Sequence, residues 1–187
     1  MTLLDALLSR RSIPAQCLIE PGPDDAQLSA ALDAALRAPD HGRLQPWRFK
    51  VIRGAARERF AELLVNAARA RDPSTPAAQL EKLRSRPLQA PLIIAVSARL
   101  RDHPKVPEIE QLLSGAAAAM NLLNAFHAQG FGAILLTGDS AYDPAVAMAL
   151  GCASDEMLIG FVYAGTIGAV IPTAPVRPHN SQFTREF

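Results

Sequence analysis

Two arginines and a serine stand side by side at Arg10-Arg11-Ser12, directly after a short apolar stretch that begins at Leu3. Arginine presents a planar fork of N–H donors and serine adds a hydroxyl, a donor set that can grip a phosphate dianion. A solvated basic helix end is the other interpretation, because arginine also suits the negative end of a helix dipole. The triplet taken alone favours that second interpretation.

A second polar cluster follows the second predicted helix. Arg37 ends that helix, and His41 and Gln45 lie in the loop that leads to Trp47. Arginine and histidine side chains here could reach hydroxyl, phosphate or ring oxygens of a ligand. A helix-end charge and an ordinary loop histidine are the alternatives. Trp47 begins a predicted strand, and we expect its indole in the core rather than against a cofactor.

Apolar periodicity and turn residues predict the elements that must position these clusters. Helices are predicted over residues 3–9, 26–37, 55–70, 80–86 and 108–129, and from Asp143 or Pro144 to about Leu150. Strands are predicted over residues 47–52, 92–96, 131–136 and 157–163. From Gly168 onward we expect an extended tail that lies across another surface, such as a second subunit. The order of elements indicates α+β or α/β architecture with about four or five strands.

The composition predicts a single domain over residues 1–187, because 49% of the residues are hydrophobic and can form a core. The 19 basic and 18 acidic residues leave a net charge of +1, which does not favour nucleic acid or an anionic membrane as a partner. No signal peptide or membrane-spanning stretch is visible, so a cytoplasmic protein is expected. Cys17 and Cys152 have no metal or redox spacing, and we expect buried free thiols in a reducing compartment.

The longest predicted helix has an unusually small middle over residues 114–119. Small side chains let another backbone approach closely, whereas an alanine-rich helix of high propensity explains the same residues equally well. Because this helix is apolar on most of its surface, we expect it to be buried inside the fold or at a subunit interface.

Several familiar chemistries lack their motifs. No G-x-G-x-x-G follows a strand, and no Walker motif, H-E-x-x-H, EF-hand loop or G-x-S-x-G is present. We therefore expect no metal site and no P-loop nucleotide hydrolysis. Gly138-Asp139-Ser140 could be imagined around a nucleophilic serine, but no D-x-x-H pair follows to supply a base.

The ordered combination of these motifs resembles the nitroreductase family, and more narrowly its compact FMN-dependent NAD(P)H nitroreductases. The resemblance spans roughly residues 3 to 166. It rests on Arg10-Arg11-Ser12, Ala38-Pro39-Asp40-His41, Gln45-Pro46-Trp47, Ala90-Pro91-Leu92-Ile93-Ile94, Ala128-Gln129-Gly130-Phe131-Gly132 and Gly160-Phe161-Val162-Tyr163-Ala164-Gly165-Thr166. The resemblance implies an α+β three-layer fold, with a mixed or mainly antiparallel sheet between helices and an extended C-terminal tail.

The resemblance also implies a function. Members of the family are homodimers with FMN at the interface, which pass a hydride from NADH or NADPH through the flavin to a nitroaromatic, quinone or similar acceptor. The flavin carries the chemistry, so no catalytic side chain is predicted. The implied FMN-binding residues are Arg10, Arg11, Ser12, Arg37, His41, Gln45, Leu135, Leu136 and Thr137. The implied nicotinamide-binding stretch is Ala125, Phe126, His127, Ala128, Gln129 and Gly130, for which an ordinary helix end capped by Gly130 is an equal alternative.

The chain also departs from the family pattern at two places. Leu135 and Leu136 stand where a larger aromatic and a basic residue are expected, and Pro14 stands where a further arginine is common. Phosphate binding must then rely on Arg10, Arg11 and groups elsewhere. Lys105 is either a cation near the flavin pyrimidine or a surface lysine. A flavin- or nucleotide-binding sensor or carrier without useful turnover is the main alternative function, and a dehalogenase relative is a more remote one.

Overall fold

The computed structural model describes residues 2–187. The helices in this part are α1 (Leu3–Ser9), α2 (Asp25–Ala35), α3 (Ala56–Arg71), α4 (Ala77–Ser85), α5 (Glu108–Ala128) and α6 (Pro144–Ala149). The strands are β1 (Leu18–Ile19), β2 (Trp47–Arg53), β3 (Leu92–Arg99), β4 (Gly132–Leu136) and β5 (Glu156–Ile167). Single-turn 3₁₀ segments connect several of them.

All strand pairs in the five-stranded sheet are antiparallel. β5 is the hub: β3 and then β2 extend the sheet from one edge of β5, β4 pairs along the other edge, and the short β1 pairs with the C-terminal end of β5. Side chains alternate between the two faces. Ile94 and Val162 pack with α2 and α5, whereas Ile93 and Phe161 pack with α3. The result is the predicted three-layer α+β fold, with an entirely antiparallel sheet.

The helix starts follow from local hydrogen bonding. Thr2 caps α1 by accepting the Asp5 N–H, and the Asp5 carboxylate accepts the Thr2 N–H in return. Asp24 and Gln27 form the same reciprocal arrangement at α2. Such capping boxes satisfy N–H groups that have no partner inside the helix. The boundaries of these helices are therefore encoded within a few residues.

The small middle of α5 lets this helix approach the sheet closely. A Cβ on Gly115 would lie 2.5 Å from Ile159 Cδ1 and 3.1 Å from Ala98 Cβ. Of the two interpretations of this stretch, close approach therefore applies at Gly115. Burial of α5 is one-sided within this chain, because Ile109 and Leu113 on its outer face are 58% and 60% exposed.

The structure corrects some of the sequence-based boundaries. β1 was not predicted, because its two residues form a strand only by pairing with the end of β5. β5 continues to Ile167, beyond the predicted limit, and α4 begins at Ala77 rather than at residue 80. The tail after residue 168 is extended as predicted, apart from one 3₁₀ turn over Asn180–Gln182.

Three further features bear on the sequence analysis. Trp47 is 8% exposed and lies in the core, as predicted. Cys17 and Cys152 are both free, and each is half-buried rather than fully buried. Across residues 2–187, no helix is both long enough and apolar enough to span a membrane.

Candidate functional site

The C-terminal tail runs back over the Arg10-Arg11-Ser12 triplet. Arg11 Nη1 donates a hydrogen bond to the carbonyl of Pro172 at 3.1 Å. Arg177 Nη2 donates to the carbonyl of Arg10 at 3.0 Å. A third guanidinium therefore joins the two that the sequence places side by side, and we call Arg10, Arg11 and Arg177 the arginine cluster.

The arginine cluster has an excess of positive charge. Within residues 2–187, no carboxylate lies within ion-pair distance of any of its three side chains. Partial burial, and then the charge of Arg177 beside it, lower the pKa of Arg10. Both effects disfavour the charged form, and an anion bound at this place would relieve them. The cluster therefore has the donor set and the charge of a phosphate site.

The segment after the triplet is fastened to the strand that carries the third predicted FMN segment. Ile13 donates its backbone N–H to the carbonyl of Ala133 at 3.1 Å. A Cβ on Gly132 would lie 2.7 Å from Leu18 Cδ2 and 3.1 Å from Ile13 Cβ. Glycine is thus what allows the two segments to pack this closely. The segment that follows the triplet therefore lies beside β4, the strand that leads to Leu135, Leu136 and Thr137.

A groove of about 650 Å³ opens between residues 14–16, the end of β4 and the end of α4. We call it the strand-end groove; it is lined by Pro14, Ala15, Gln16, Lys82, Arg86, Gln89, Ile134, Leu135, Leu136, Thr137 and Gly138. Leu135 and Leu136 give it an apolar wall, while Thr137 is exposed at its edge. The two cations of the groove, Lys82 and Arg86, were missed by the sequence analysis. They lie four residues apart at the end of a helix, and only the fold shows that they face this strand.

The predicted nicotinamide stretch lies beside α1. Ser9 Oγ donates to the carbonyl of Asp5 at 2.6 Å, so its lone pairs accept from His127 Nε2 at 2.9 Å. Phe126 is fully buried in the core, and Gln129 Nε2 donates to the carbonyl of Gln27. The side chains of Phe126, His127 and Gln129 therefore hold helices together. Ala125 packs against the core, whereas Ala128 and Gly130 are exposed, and contact of this stretch with nicotinamide stays a prediction.

The loop that carries His41 and Gln45 is strained and braced. Gly42, Arg43 and Gln45 have φ angles of 73°, 55° and 49°. Such left-handed conformations cost energy for residues other than glycine and are common at functional sites. The Asp40 carboxylate accepts the backbone N–H groups of Leu44 at 3.0 Å and Gln45 at 2.9 Å, which holds the loop in shape.

His41 in this loop is paired with the start of α5. Its Nδ1 lies 2.6 Å from Glu110 Oε2. A ring that donates from Nδ1 leaves Nε2 for a ligand. Val106 packs against the same loop, because a Cβ on Gly42 would lie 3.0 Å from Val106 Cγ2. Its sequence neighbour Lys105 therefore lies in the same region. Arg37 is exposed just past the end of α2 and hydrogen-bonds through its backbone to Ala34.

The predicted FMN-binding residues thus form two groups within one chain. His127 binds the end of α1 beside the arginine cluster, and Glu110 binds His41, yet these two residues are 17 positions apart on α5. At a rise of about 1.5 Å per residue, the separation is about 25 Å. One flavin mononucleotide is too short to span it, so the two groups of a single chain do not meet around one ligand.

Other features of the surface do not contain the predicted residues. A larger apolar cavity, of about 1010 Å³, lies between α3, α4 and α6 and holds none of them. In the part of the chain that the structure describes, no group of three His, Cys, Asp or Glu side chains is arranged to hold a metal ion. The candidate site therefore comprises the arginine cluster, the strand-end groove and the His41 loop.

Comparison with known proteins assigns the family. The model of the Nitroreductase family matches residues 7–166. An Escherichia coli K12 protein with the curated name "Putative NAD(P)H nitroreductase YdjA" is 43% identical over 166 residues, which cover 89% of this chain and 88% of that protein. A solved nitroreductase-like family protein from Bacillus cereus has a TM-score of 0.84 at 19% identity, covering 100% of this chain and 96% of that chain.

A solved Desulfovibrio desulfuricans structure, described as a nitroreductase in complex with FMN, has a TM-score of 0.74 at 23% identity. It covers 100% of this chain and 97% of its own. The two solved structures share the fold of this chain, and the family match runs from α1 to the end of β5. The chain therefore belongs to the nitroreductase family.

Proposed function

We propose that this protein is an FMN-dependent oxidoreductase that takes a hydride from NADH or NADPH and delivers it to a nitroaromatic, a quinone or a similar electron-poor acceptor. The observation that carries the proposal is the arginine cluster, whose Arg10 and Arg11 shortly precede in sequence the residues that line the strand-end groove from Pro14 onward. The names of its relatives, which include an NAD(P)H nitroreductase and an FMN complex, support the same cofactors.

The residues present fit FMN on chemical grounds. A phosphate dianion needs several N–H donors and no competing carboxylate, which is what Arg10, Arg11 and Arg177 offer together with Ser12. Arg177 would supply a further cation at this site, because the resemblance leads us to expect another arginine where Pro14 stands. The tail thus supplies the missing cation from the other end of the chain.

The strand-end groove fits the ring of the same molecule. Leu135 and Leu136 would supply apolar contact and backbone hydrogen-bonding groups, and Thr137 would supply a hydroxyl at the edge. Lys82 and Arg86 bring positive charge to a groove whose strand carries none. FMN, when bound, supplies the hydride-accepting ring, so the chain needs only to hold it, shield it and set the charge around it.

We propose that the site is completed by a second copy of the chain. The His41 loop lies about 25 Å from the arginine cluster along α5 and would reach the flavin of the partner. Large apolar side chains are exposed where such a partner would pack. They lie on α1, on the outer face of α5 and on the tail: Leu3, Leu4, Leu8, Ile109, Leu113, Val176 and Phe183. Exposed apolar patches of this kind mark interaction surfaces.

The predicted nicotinamide stretch and the two cysteines also fit this proposal. Residues 125–130 would border the nicotinamide, because they adjoin the end of α1 beside the arginine cluster. The two free, half-buried cysteines are consistent with a cytoplasmic location, where thiols stay reduced.

Reconstitution tests the proposal. The purified protein is incubated with FMN, passed through a desalting column, and assayed for retained flavin per chain and for NAD(P)H oxidation with a nitroaromatic or quinone. We expect about one flavin per chain and acceptor-dependent turnover. Retained flavin without turnover would instead favour a flavin-binding sensor or carrier, and failure to retain any flavin would contradict both.

A further inference from the structure

A second cavity adjoins the strand-end groove and shares two cations with it. It has a volume of about 460 Å³ and lies between the end of α3, α4 and the turn that follows β4. Lys82 and Arg86 line both cavities. They occupy positions i and i+4 at the end of α4, so they stand on one face of the helix end. The rest of the lining comprises Arg71, Ala78, Gln79, Leu83, Asp139 and Ser140.

The charges in this second cavity are not balanced. Its third cation, Arg71, is compensated by Asp143 at 2.9 Å and by Asp139 at 4.0 Å. Lys82 and Arg86, in contrast, have no carboxylate within 4.0 Å among residues 2–187.

The neighbouring Arg84 shows that this lack of partners is not general along α4. It points to the other side of the helix and pairs there with Glu62 and Glu81. The uncompensated charge is therefore confined to the face that meets the two cavities.

Arg86 is also oriented toward the sheet. Burial raises the pKa of the Tyr163 phenol to about 12, and the charge of Arg86 partly offsets this rise. Tyr163 lies on β5, where it pairs with Ile134 of the groove wall. Arg86 is exposed and lines both cavities, so its charge is available to a ligand in either one.

FMN alone does not account for two separate cationic centres. It has a single phosphate, and the arginine cluster provides for that group in the proposed function. We propose that Lys82 and Arg86, in the wall that the groove shares with the second cavity, form an anion subsite that binds a carboxylate or phosphate of the molecule that reacts with the flavin. The inference rests on the proposed function. That molecule is either an acidic aromatic acceptor or the phosphate-bearing nicotinamide nucleotide.

Two pairs of probe molecules distinguish whether the bound anionic group belongs to the acceptor or to the nicotinamide nucleotide. The acceptor arm compares 4-nitrobenzoate, which is anionic, with 4-nitrobenzamide, which is neutral and of similar shape. The reductant arm compares NADPH with 1-benzyl-1,4-dihydronicotinamide, a hydride donor without phosphate. Each KM is measured for the FMN-loaded wild-type protein and for the Lys82→Gln and Arg86→Gln variants. The Kd of 4-nitrobenzoate is also measured without reductant, from the change in the flavin absorption spectrum.

Arg69→Gln is the matched control, because Arg69 is an exposed cation on α3 that lines neither cavity and has no ion pair within the described residues. We expect each groove variant to raise the charged-to-neutral KM ratio of one arm by about fivefold or more, whatever its effect on the flavin common to both members. If acceptors are the source, the Kd of 4-nitrobenzoate should rise in parallel.

The opposing outcomes are distinct. Charged-to-neutral KM ratios that stay within about twofold of wild type in both arms, or that rise equally in Arg69→Gln, would overturn the anion subsite while leaving the proposed function intact. A wild-type protein that retains no FMN, or reduces neither acceptor, would overturn the proposed function and the subsite together.

Discussion

Replacement of Arg177 by alanine should weaken FMN binding selectively. Arg177 holds its place by a hydrogen bond to the Arg10 carbonyl at 3.0 Å, and its guanidinium has no carboxylate partner within residues 2–187. A hydrogen bond to a charged group is worth about 1.5–3 kcal/mol. Because the tail is exposed, we take the lower end, which corresponds to about a tenfold rise in the Kd of FMN.

The assay is a fluorescence titration of flavin-free protein with FMN and, separately, with riboflavin. Riboflavin lacks the phosphate, so its affinity should be the same in wild type and Arg177→Ala. Arg185→Ala is the control, because Arg185 lies on the same exposed tail and makes no side-chain hydrogen bond or ion pair among the described residues. Stability of the flavin-free protein should change by less than about 0.5 kcal/mol. Equal losses of FMN and riboflavin affinity, or the same loss in Arg185→Ala, would refute the reasoning.

Three other substitutions test parts of the framework. Gly160→Ala would place a Cβ 2.9 Å from the backbone carbonyl oxygen of Leu136, at the end of β4. The amount of retained flavin should therefore fall, and the free energy of unfolding in urea should fall by about 1–3 kcal/mol. No change in either quantity would contradict this close packing. Asp143→Ala removes the cap of α6 and the partner of Arg71, and should lower the free energy of unfolding by about 1–3 kcal/mol. Asp143→Asn should keep the cap and lower it less. Equal decreases in the two variants would assign the effect to the ion pair with Arg71. The hydrogen bond from Arg99 lowers the pKa of the Asp155 carboxyl in the folded protein. The pair therefore stabilises the protein above the carboxyl pKa of the unfolded chain, and this stabilisation is lost as pH falls through the lower pKa of the folded state. Unfolding free energies from urea titrations should differ between Asp155→Asn and wild type at neutral pH but not in strong acid.

The sequence predicts most of the helices because their signals are local. The capping pairs at Thr2 and Asp24 and the apolar faces of the helices act over a few residues. β1 could not be predicted in the same way, since Leu18 and Ile19 become a strand only through pairing with β5. The same reason applies to the extra length of β5.

The residues of the candidate site likewise divide into those with a local sequence signal and those that only the fold brings to the site. Arg10 and Arg11 were identified from their adjacency and from the family resemblance. Arg177 was not, because it is far from them in sequence and reaches them only through an extended tail without periodicity. Lys82 and Arg86 likewise have an ordinary pattern for the end of a surface helix, and their meaning depends on the strand that packs opposite them. The sequence alone therefore does not show which charged residues from distant parts of the chain come together.

The visible absorption spectrum of the FMN-loaded, desalted protein under anaerobic conditions tests the central claim most directly. Spectra are recorded before and after NADPH is added. The nucleotide is then removed, an acceptor is added, and the spectrum is recorded again. We expect flavin absorption in stoichiometric amount, loss of that absorption with NADPH, and its return with a nitroaromatic or quinone. A protein that remains colourless after incubation with FMN, or a bound flavin that NADPH does not bleach, would contradict the account.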